Sequence, residues 1–85
     1  MTNTISILEQ LIQFPTVSRD SNMALIRYVA DLLAEYGITA DIIENDDATK
    51  ANLYASTGGS RHGGVMLSGH TDVVPVDGQH WTVDP

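Results

Sequence analysis

Residues 25–44 read LIRYVADLLAEYGITADIIE, and the spacing of the apolar residues in this stretch changes at Gly37. Before the glycine, apolar side chains recur every three or four positions, as on one face of a helix, at Leu25, Ile26, Val29, Leu32 and Leu33. After it, apolar and polar residues alternate, which is the period of a half-buried strand. Glycine readily takes the left-handed conformation that ends many helices. The stretch therefore predicts a helix over residues 23–36 and a strand over residues 38–44.

The flanking segments predict one more helix and two more strands. Residues 5–14 form an amphipathic helical pattern that ends before Pro15, with apolar side chains at Ile5, Leu8, Leu11 and Ile12. Residues 52–56 and 65–68 predict short strands, and the glycine-rich TGGSRHGG between them predicts a hairpin. The polar NDDATK, residues 45–50, predicts an exposed turn. Two helices followed by three strands indicate an α/β or α+β fold with the helices packed on one sheet.

Length and charge limit what the chain can do. Its 85 residues lie below the common domain size of roughly 100 to 150, so we expect one small core that leaves the apolar helix faces partly exposed. The formal charge of −7 and the scattered cations argue against nucleic-acid binding. The absence of cysteine excludes disulfides and thiolate metal sites. The N-terminal segment has neither a basic region nor an uninterrupted apolar span, so we expect a soluble, cytoplasmic protein that binds no membrane.

His70 and Asp72 lie just past the predicted strand at residues 65–68, where α/β folds commonly place their ligands. If the backbone stays extended through Thr71, both side chains point the same way and the carboxylate can reach the imidazole. That contact would fix the tautomer of the ring and leave its other nitrogen available to a metal. On spacing alone, the commoner explanation is a loop histidine paired with a neighbouring aspartate, so the metal hypothesis stays open at this point.

Other polar groups carry weaker signals. His62 lies in the glycine-rich reversal and His80 lies among polar loop residues, so we predict that both are solvated. The acidic residues Glu44, Asp46 and Asp47 lack the glycine and terminal glutamate of a calcium loop, and a solubilising turn explains them. The sequence presents neither a nucleophilic triad nor a phosphate-binding loop.

The string LSGHTDVVPVDGQHWTVDP, residues 67–85, is far more specific than the His-x-Asp pattern inside it. It resembles the first metal-binding segment of the zinc-dependent amidohydrolase family that includes acetylornithine deacetylases, succinyl-diaminopimelate desuccinylases and aminoacylases. LIQFPTVS, residues 11–18, resembles the opening helix and loop of that family, and TKANLYAS, residues 49–56, resembles the strand before the hairpin. The resemblance covers nearly the whole chain, and within the family it points most to the acetylornithine deacetylases.

The resemblance implies a zinc-peptidase-like catalytic domain, of which residues 1–85 are the N-terminal portion, and a site with two zinc ions, with cobalt as an alternative metal. His70 would be a ligand to one zinc. Asp72 would be the residue of the catalytic centre that hydrogen-bonds and orients that histidine. In the family, the bridging aspartate, the glutamate base and the other ligands lie further along the chain. We therefore expect this chain alone to be inactive and to hold no zinc tightly.

The implied activity is hydrolysis of a small N-acyl amino acid, most specifically of N-acetylornithine to ornithine and acetate in arginine biosynthesis, by an enzyme that can be a homodimer. A succinyl-diaminopimelate desuccinylase, or another deacylase or peptidase of the family, is the main alternative. It would need cationic groups for a second substrate carboxylate, and the sequence does not identify them. A free-standing interaction domain is a third hypothesis, from a different class.

Overall fold

The computed structural model describes residues 2–58 and 63–85. In that part of the chain, the elements are two helices and two strands in the order α1 (Thr2–Gln13), α2 (Met23–Glu35), β1 (Ala40–Glu44) and β2 (Ala51–Ala55). Both predicted helices and the first two predicted strands are confirmed, with ends that differ by no more than three residues from those that the sequence indicated. The result is a small piece of α/β structure in which α2 packs on the sheet.

Gly37 ends α2 as predicted. Its φ angle of 75° is in the left-handed region, which glycine enters without a steric penalty. The N–H of Gly37 donates to the carbonyl of Ala34, and the N–H of Ile38 donates to the carbonyl of Leu33, both at 3.0 Å. This pair of bonds is the Schellman arrangement, and it satisfies two carbonyls that the helix end would otherwise leave without partners.

The two strands form an antiparallel hairpin whose register pairs Ala40 with Ala55 and Glu44 with Ala51. The predicted turn at residues 45–50 connects them. There, the Asn45 side-chain oxygen accepts hydrogen bonds from the backbone N–H groups of Thr49 and Lys50, both at 3.0 Å. An asparagine that bonds nearby backbone in this way is characteristic of tight turns, and it explains why the polar segment reverses the chain.

The predicted strand at residues 65–68, and the hairpin joining it to residues 52–56, are wrong for the described part of the chain. Residues 65–68 are not in a strand there, and β2 pairs with β1 instead. Val65 and Leu67 are 90% and 93% exposed. A strand of continuous apolar residues is stable where neighbouring strands and covering layers bury it, and the described residues supply neither to this segment. Residues 59–62 of the predicted reversal lie outside the described residues.

The core lies between α2 and β2. Its buried members are Met23, Leu25, Ile26 and Ala51. Phe14 packs against this cluster, and its ring centroid lies 5.5 Å from that of Tyr28. By contrast, Ile5 and Ile12 on α1 are 67% and 69% exposed, which confirms that so short a chain leaves apolar helix surface uncovered. None of the described helices has the length and hydropathy needed to cross a bilayer.

Candidate metal-ligand site

A short parallel contact between two distant segments builds the site. Val17 and Val73 form an isolated β-bridge, in which the N–H of Val73 donates to the carbonyl of Thr16 at 3.0 Å and the N–H of Ser18 donates to the carbonyl of Val73 at 3.1 Å. The buried Thr16 hydroxyl adds a third bond, to the carbonyl of Thr71 at 2.6 Å. The loop after α1 therefore holds the segment that carries the candidate site residues.

His70 and Asp72 meet as the sequence predicted. His70 Nδ1 lies 3.0 Å from Asp72 Oδ1 and 3.1 Å from the backbone carbonyl oxygen of Asp72. Both neighbours are acceptors, so the neutral ring makes these contacts with its proton on Nδ1. Nε2 then carries the lone pair, and it has no hydrogen-bond partner among the described residues. The His70 side chain is 84% exposed, which leaves this nitrogen accessible.

The Asp72 carboxylate is shared between two partners. Its Oδ2 atom accepts a hydrogen bond from the Ser18 hydroxyl at 2.7 Å, while Oδ1 faces His70. The Ser18 bond, and after it the His70 bond, hold the pKa of the Asp72 carboxyl below its ordinary value. The carboxylate therefore stays ionised at neutral pH, and both of its oxygens are available to accept hydrogen bonds, one from Ser18 and one from the imidazole Nδ1–H.

Two cations lie at the edge of the same region. Arg19 forms an ion pair with Asp77 at 2.9 Å, with both side chains largely exposed. Lys50 donates from Nζ to the backbone carbonyl of Ser18. Exposed ion pairs contribute little to stability, so the Arg19–Asp77 pair adds little to the attachment that the Val17–Val73 bridge provides.

An open groove adjoins the pair. It lies between the loop after α1, the start of α2 and the hairpin, and its lining includes His70, Asp72, Asn22, Leu25 and Ala51. Asn22 closes part of its wall, because its side-chain amide exchanges two hydrogen bonds of 2.9 Å with the backbone of Ala51. Apolar and polar groups thus meet beside the imidazole, where a small ligand could approach it.

The remaining candidates lie apart from this pair. His80 is exposed, as predicted, and His62 lies outside the described residues. Across residues 2–58 and 63–85, no three His, Asp or Glu side chains come together as a metal-binding group. Sequence reasoning did not single out Thr16 or Ser18. The only available signal was the PTVS string that carried the family resemblance, because their contacts join positions 54 or 55 residues apart.

Comparison with known proteins finds relatives that align with almost the entire chain. The acetylornithine deacetylase of Yersinia pestis is 40% identical over 95% of this chain. The acetylornithine deacetylase of Buchnera aphidicola and the succinyl-diaminopimelate desuccinylase of Ehrlichia chaffeensis are 37% and 36% identical over the same share. The chain matches a segment of this deacylase family. The resemblance that the sequence indicated is thereby confirmed.

The match covers only part of each relative. The chain spans 22% to 24% of the length of these deacetylases and desuccinylases. No family model matches the chain, and no solved structure matches it significantly. Relatives with either name are about equally similar to this chain, so similarity alone does not separate a deacetylase from a desuccinylase.

Proposed function

We propose that the chain is the N-terminal portion of the catalytic domain of a cytoplasmic, zinc-dependent amidohydrolase that removes the acyl group from a small N-acyl amino acid. The observation that carries this proposal is the alignment of 95% of the chain with enzymes named acetylornithine deacetylase and succinyl-diaminopimelate desuccinylase. Acetylornithine is our first choice of substrate, which would place the enzyme in arginine biosynthesis. The TKANLYAS and VDGQHWTVDP strings together favour that choice.

In this proposal, His70 binds one of two metal ions through Nε2. Its donor chemistry fits, since a neutral imidazole with Nδ1–H bonded to a carboxylate is a common zinc ligand. Asp72 is then a positioning residue that keeps the proton on Nδ1 and the ring in one orientation. When bound, the metal supplies Lewis-acid polarisation of the amide carbonyl and a lower pKa for the attacking water.

The chain's own residues supply only part of such a site. A catalytic zinc site usually has three protein ligands, and the described residues bring one imidazole and one positioning carboxylate together. The further ligands and the general base would have to come from residues beyond those described. With one candidate ligand among its described residues, the chain by itself should not catalyse hydrolysis.

Two other functions compete with this one. A desuccinylase would hold a second substrate carboxylate with cationic groups. A free-standing interaction domain would be encoded without the further metal ligands and the general base. The decisive experiment begins with the natural reading frame that encodes these residues. The encoded protein would be loaded with zinc and assayed with N-acetylornithine and with N-succinyl-diaminopimelate, comparing kcat/KM for the two substrates.

A higher kcat/KM for N-acetylornithine would support the first choice, and the reverse order would assign the desuccinylase activity. A reading frame that ends near residue 85, together with no hydrolysis of either substrate, would leave the interaction domain as the surviving hypothesis. The matched variant His70→Ala should lose activity on whichever substrate is used, because removal of a ligand disables the metal that both reactions would share.

A further inference from the structure

The Ser18 hydroxyl contacts Asp72, which the backbone of Ser18 does not. Its N–H and carbonyl hold Val73 and Lys50, and a substitution that removes only the hydroxyl leaves both backbone groups in place. The hydroxyl has a single proton and two acceptors within reach, Asp72 Oδ2 at 2.7 Å and the Val73 carbonyl at 3.3 Å. The shorter contact is to the charged acceptor, and charge-assisted hydrogen bonds are the stronger class.

This bond limits rotation of the Asp72 carboxylate. The side chain is more than half exposed, so packing does little to fix its rotamer. With Oδ2 held by Ser18, Oδ1 is directed at His70 Nδ1, 3.0 Å away. Without that bond, the carboxylate could rotate about its terminal torsion, which has broad energy minima, and turn toward water. The Ser18 hydroxyl thus orients the Asp72 carboxylate, and the carboxylate in turn orients the His70 imidazole.

We propose that Ser18 is a positioning residue for the site, which fixes the Asp72 carboxylate so that His70 keeps its proton on Nδ1 and presents an unprotonated Nε2. The proposal rests on the proposed function for its purpose, since an unprotonated Nε2 matters there as a metal ligand. The juxtaposition itself rests on the Val17–Val73 bridge, which brings residues 18 and 72 side by side.

The test measures the tautomer of His70 directly, in the nitrogen-15-labelled, metal-free protein that the natural reading frame encodes. Long-range proton–nitrogen spectra distinguish a ring protonated on Nδ1 from one protonated on Nε2. In the neutral ring, we expect the Nδ1–H form to dominate in the wild type. Ser18→Ala should shift the ring toward the Nε2–H form, whereas Ser18→Thr, which keeps a hydroxyl, should restore the wild-type spectrum.

A control variant separates this effect from a general disturbance of the loop. Ser68→Ala removes an exposed hydroxyl two residues before His70 and should leave the tautomer unchanged. Amide signals and cross-peaks between Val17 and Val73 report whether the bridge persists in each variant. A wild type without the Nδ1–H form, a Ser18→Ala ring unchanged with the bridge intact, or loss of the bridge in Ser18→Ala would each overturn the proposal.

A second measurement connects the tautomer to the metal. Zinc added to the same samples binds the fraction of rings with a free Nε2, so the apparent affinity is reduced by the fraction in the wrong tautomer. We expect Ser18→Ala to weaken zinc binding at His70 by roughly threefold to tenfold, less than the 10- to 100-fold typical for loss of a residue that contacts the ligand directly. Equal affinity in both chains would contradict the proposed role.

These outcomes also distinguish failure of this proposal from failure of the proposed function. If the natural protein hydrolysed neither acyl substrate while Ser18→Ala still moved the His70 tautomer, the positioning role would stand and the deacylase would fall. If the protein hydrolysed N-acetylornithine while Ser18→Ala left both tautomer and zinc affinity unchanged, the enzyme would stand and the role of Ser18 would fall.

Discussion

At the residue scale, the site is a short chain of hydrogen bonds. Ser18 donates to one carboxylate oxygen of Asp72, and the other oxygen faces Nδ1 of His70. Each member limits the freedom of the next, so that an exposed imidazole acquires a defined tautomer without being buried. Because the His70 side chain is 84% exposed, its Nε2 atom remains accessible from solvent.

Substitution of the two site residues should produce graded losses in an enzyme that includes the remaining catalytic residues. We expect His70→Ala to abolish nearly all hydrolysis, because it removes a metal ligand. Asp72→Ala should lower metal affinity or kcat/KM by roughly 10- to 100-fold, because it removes only the orienting partner. Zinc content and steady-state kinetics measure the two effects. His80→Ala is the control, and unchanged activity in His70→Ala would refute the assignment.

A second carboxylate, in the β1–β2 turn, offers a test by pH. The Thr49 hydroxyl, 2.7 Å from Asp47 Oδ1, and then the Thr49 backbone N–H hold the pKa of Asp47 below its ordinary value. The bonds favour the ionised form in the folded state, so they stabilise the turn above the unfolded pKa of about 3.9 and lose this effect as the pH falls through the lower folded value.

We therefore expect Thr49→Val, which removes the hydroxyl at nearly constant shape, to raise the Asp47 pKa toward the ordinary value. Carbon-detected NMR titration of the side-chain carboxyl measures it. Thr39→Val, at an exposed position before β1, is the matched control and should leave the Asp47 titration unchanged. An Asp47 pKa that is the same in Thr49→Val and in the wild type would contradict the assigned cause.

At the scale of the elements, the end of α2 depends on backbone conformation rather than on space. A methyl group added to Gly37 would meet no atom within 4 Å, yet the φ angle of 75° would be strained for any residue with a Cβ. Gly69 has equally open surroundings, but its φ angle is outside the left-handed region. Because neither position is sterically crowded, a difference between alanine substitutions at Gly37 and Gly69 reports the cost of the left-handed backbone conformation at Gly37.

We expect Gly37→Ala to lower the free energy of unfolding by about 1 kcal/mol, through the left-handed conformation alone. Gly69→Ala should be neutral or slightly stabilising, because alanine restricts the unfolded chain where the native conformation tolerates it. Urea unfolding followed by circular dichroism at 222 nm measures both. Equal effects of the two substitutions would show that the Schellman arrangement does not control the end of α2.

At the scale of the whole molecule, more large apolar side chains are exposed than buried among the described residues. In the part of the chain that the structure describes, the buried core has four hydrophobic side chains, all from α2 and β2, whereas α1 and residues 65–67 expose large apolar groups to solvent. Burial of apolar area is the main favourable term in folding, and a chain of this size buries proportionally little of it. The exposed surface is consistent with a segment that packs against further structure.

We expect the isolated 85-residue chain to be marginally stable. It should unfold over a broad range with weak cooperativity, or self-associate, since neither a disulfide nor a complete metal site compensates for the small core. Calorimetry and sedimentation measure these properties. A monomer that melts in one sharp transition within the roughly 45–65 °C range of ordinary domains would show that the core suffices.

Zinc titration tests the same incompleteness at the site. We expect no tight stoichiometric binding by the isolated chain, because one imidazole with an orienting carboxylate supplies one ligand. Isothermal titration calorimetry, with His70→Ala as the matched control, measures the affinity. A tight one-to-one site that disappears in His70→Ala would mean that the chain contains further ligands.

The elements whose formation depends on nearby residues could be predicted from the sequence. Helix α2, its end at Gly37 and strand β1 were read from periodicity and one glycine, because helical turns, caps and strand alternation are decided within a few positions. The contact between His70 and Asp72 was predictable for the same reason, since the partners are two positions apart and an extended backbone directs both side chains to one side.

Only the tertiary structure decided which distant segments meet. The pattern of residues 65–68 could not reveal that the described chain leaves this segment without a pairing partner, since pairing depends on what lies beside a strand. Likewise, nothing local to Ser18 indicates a contact with Asp72, which lies 54 positions away. The Val17–Val73 bridge brings the two together. Such a bridge forms only when the contacts of the folded chain offset the entropy cost of closing the long loop between the segments, and a local sequence pattern does not reveal this balance.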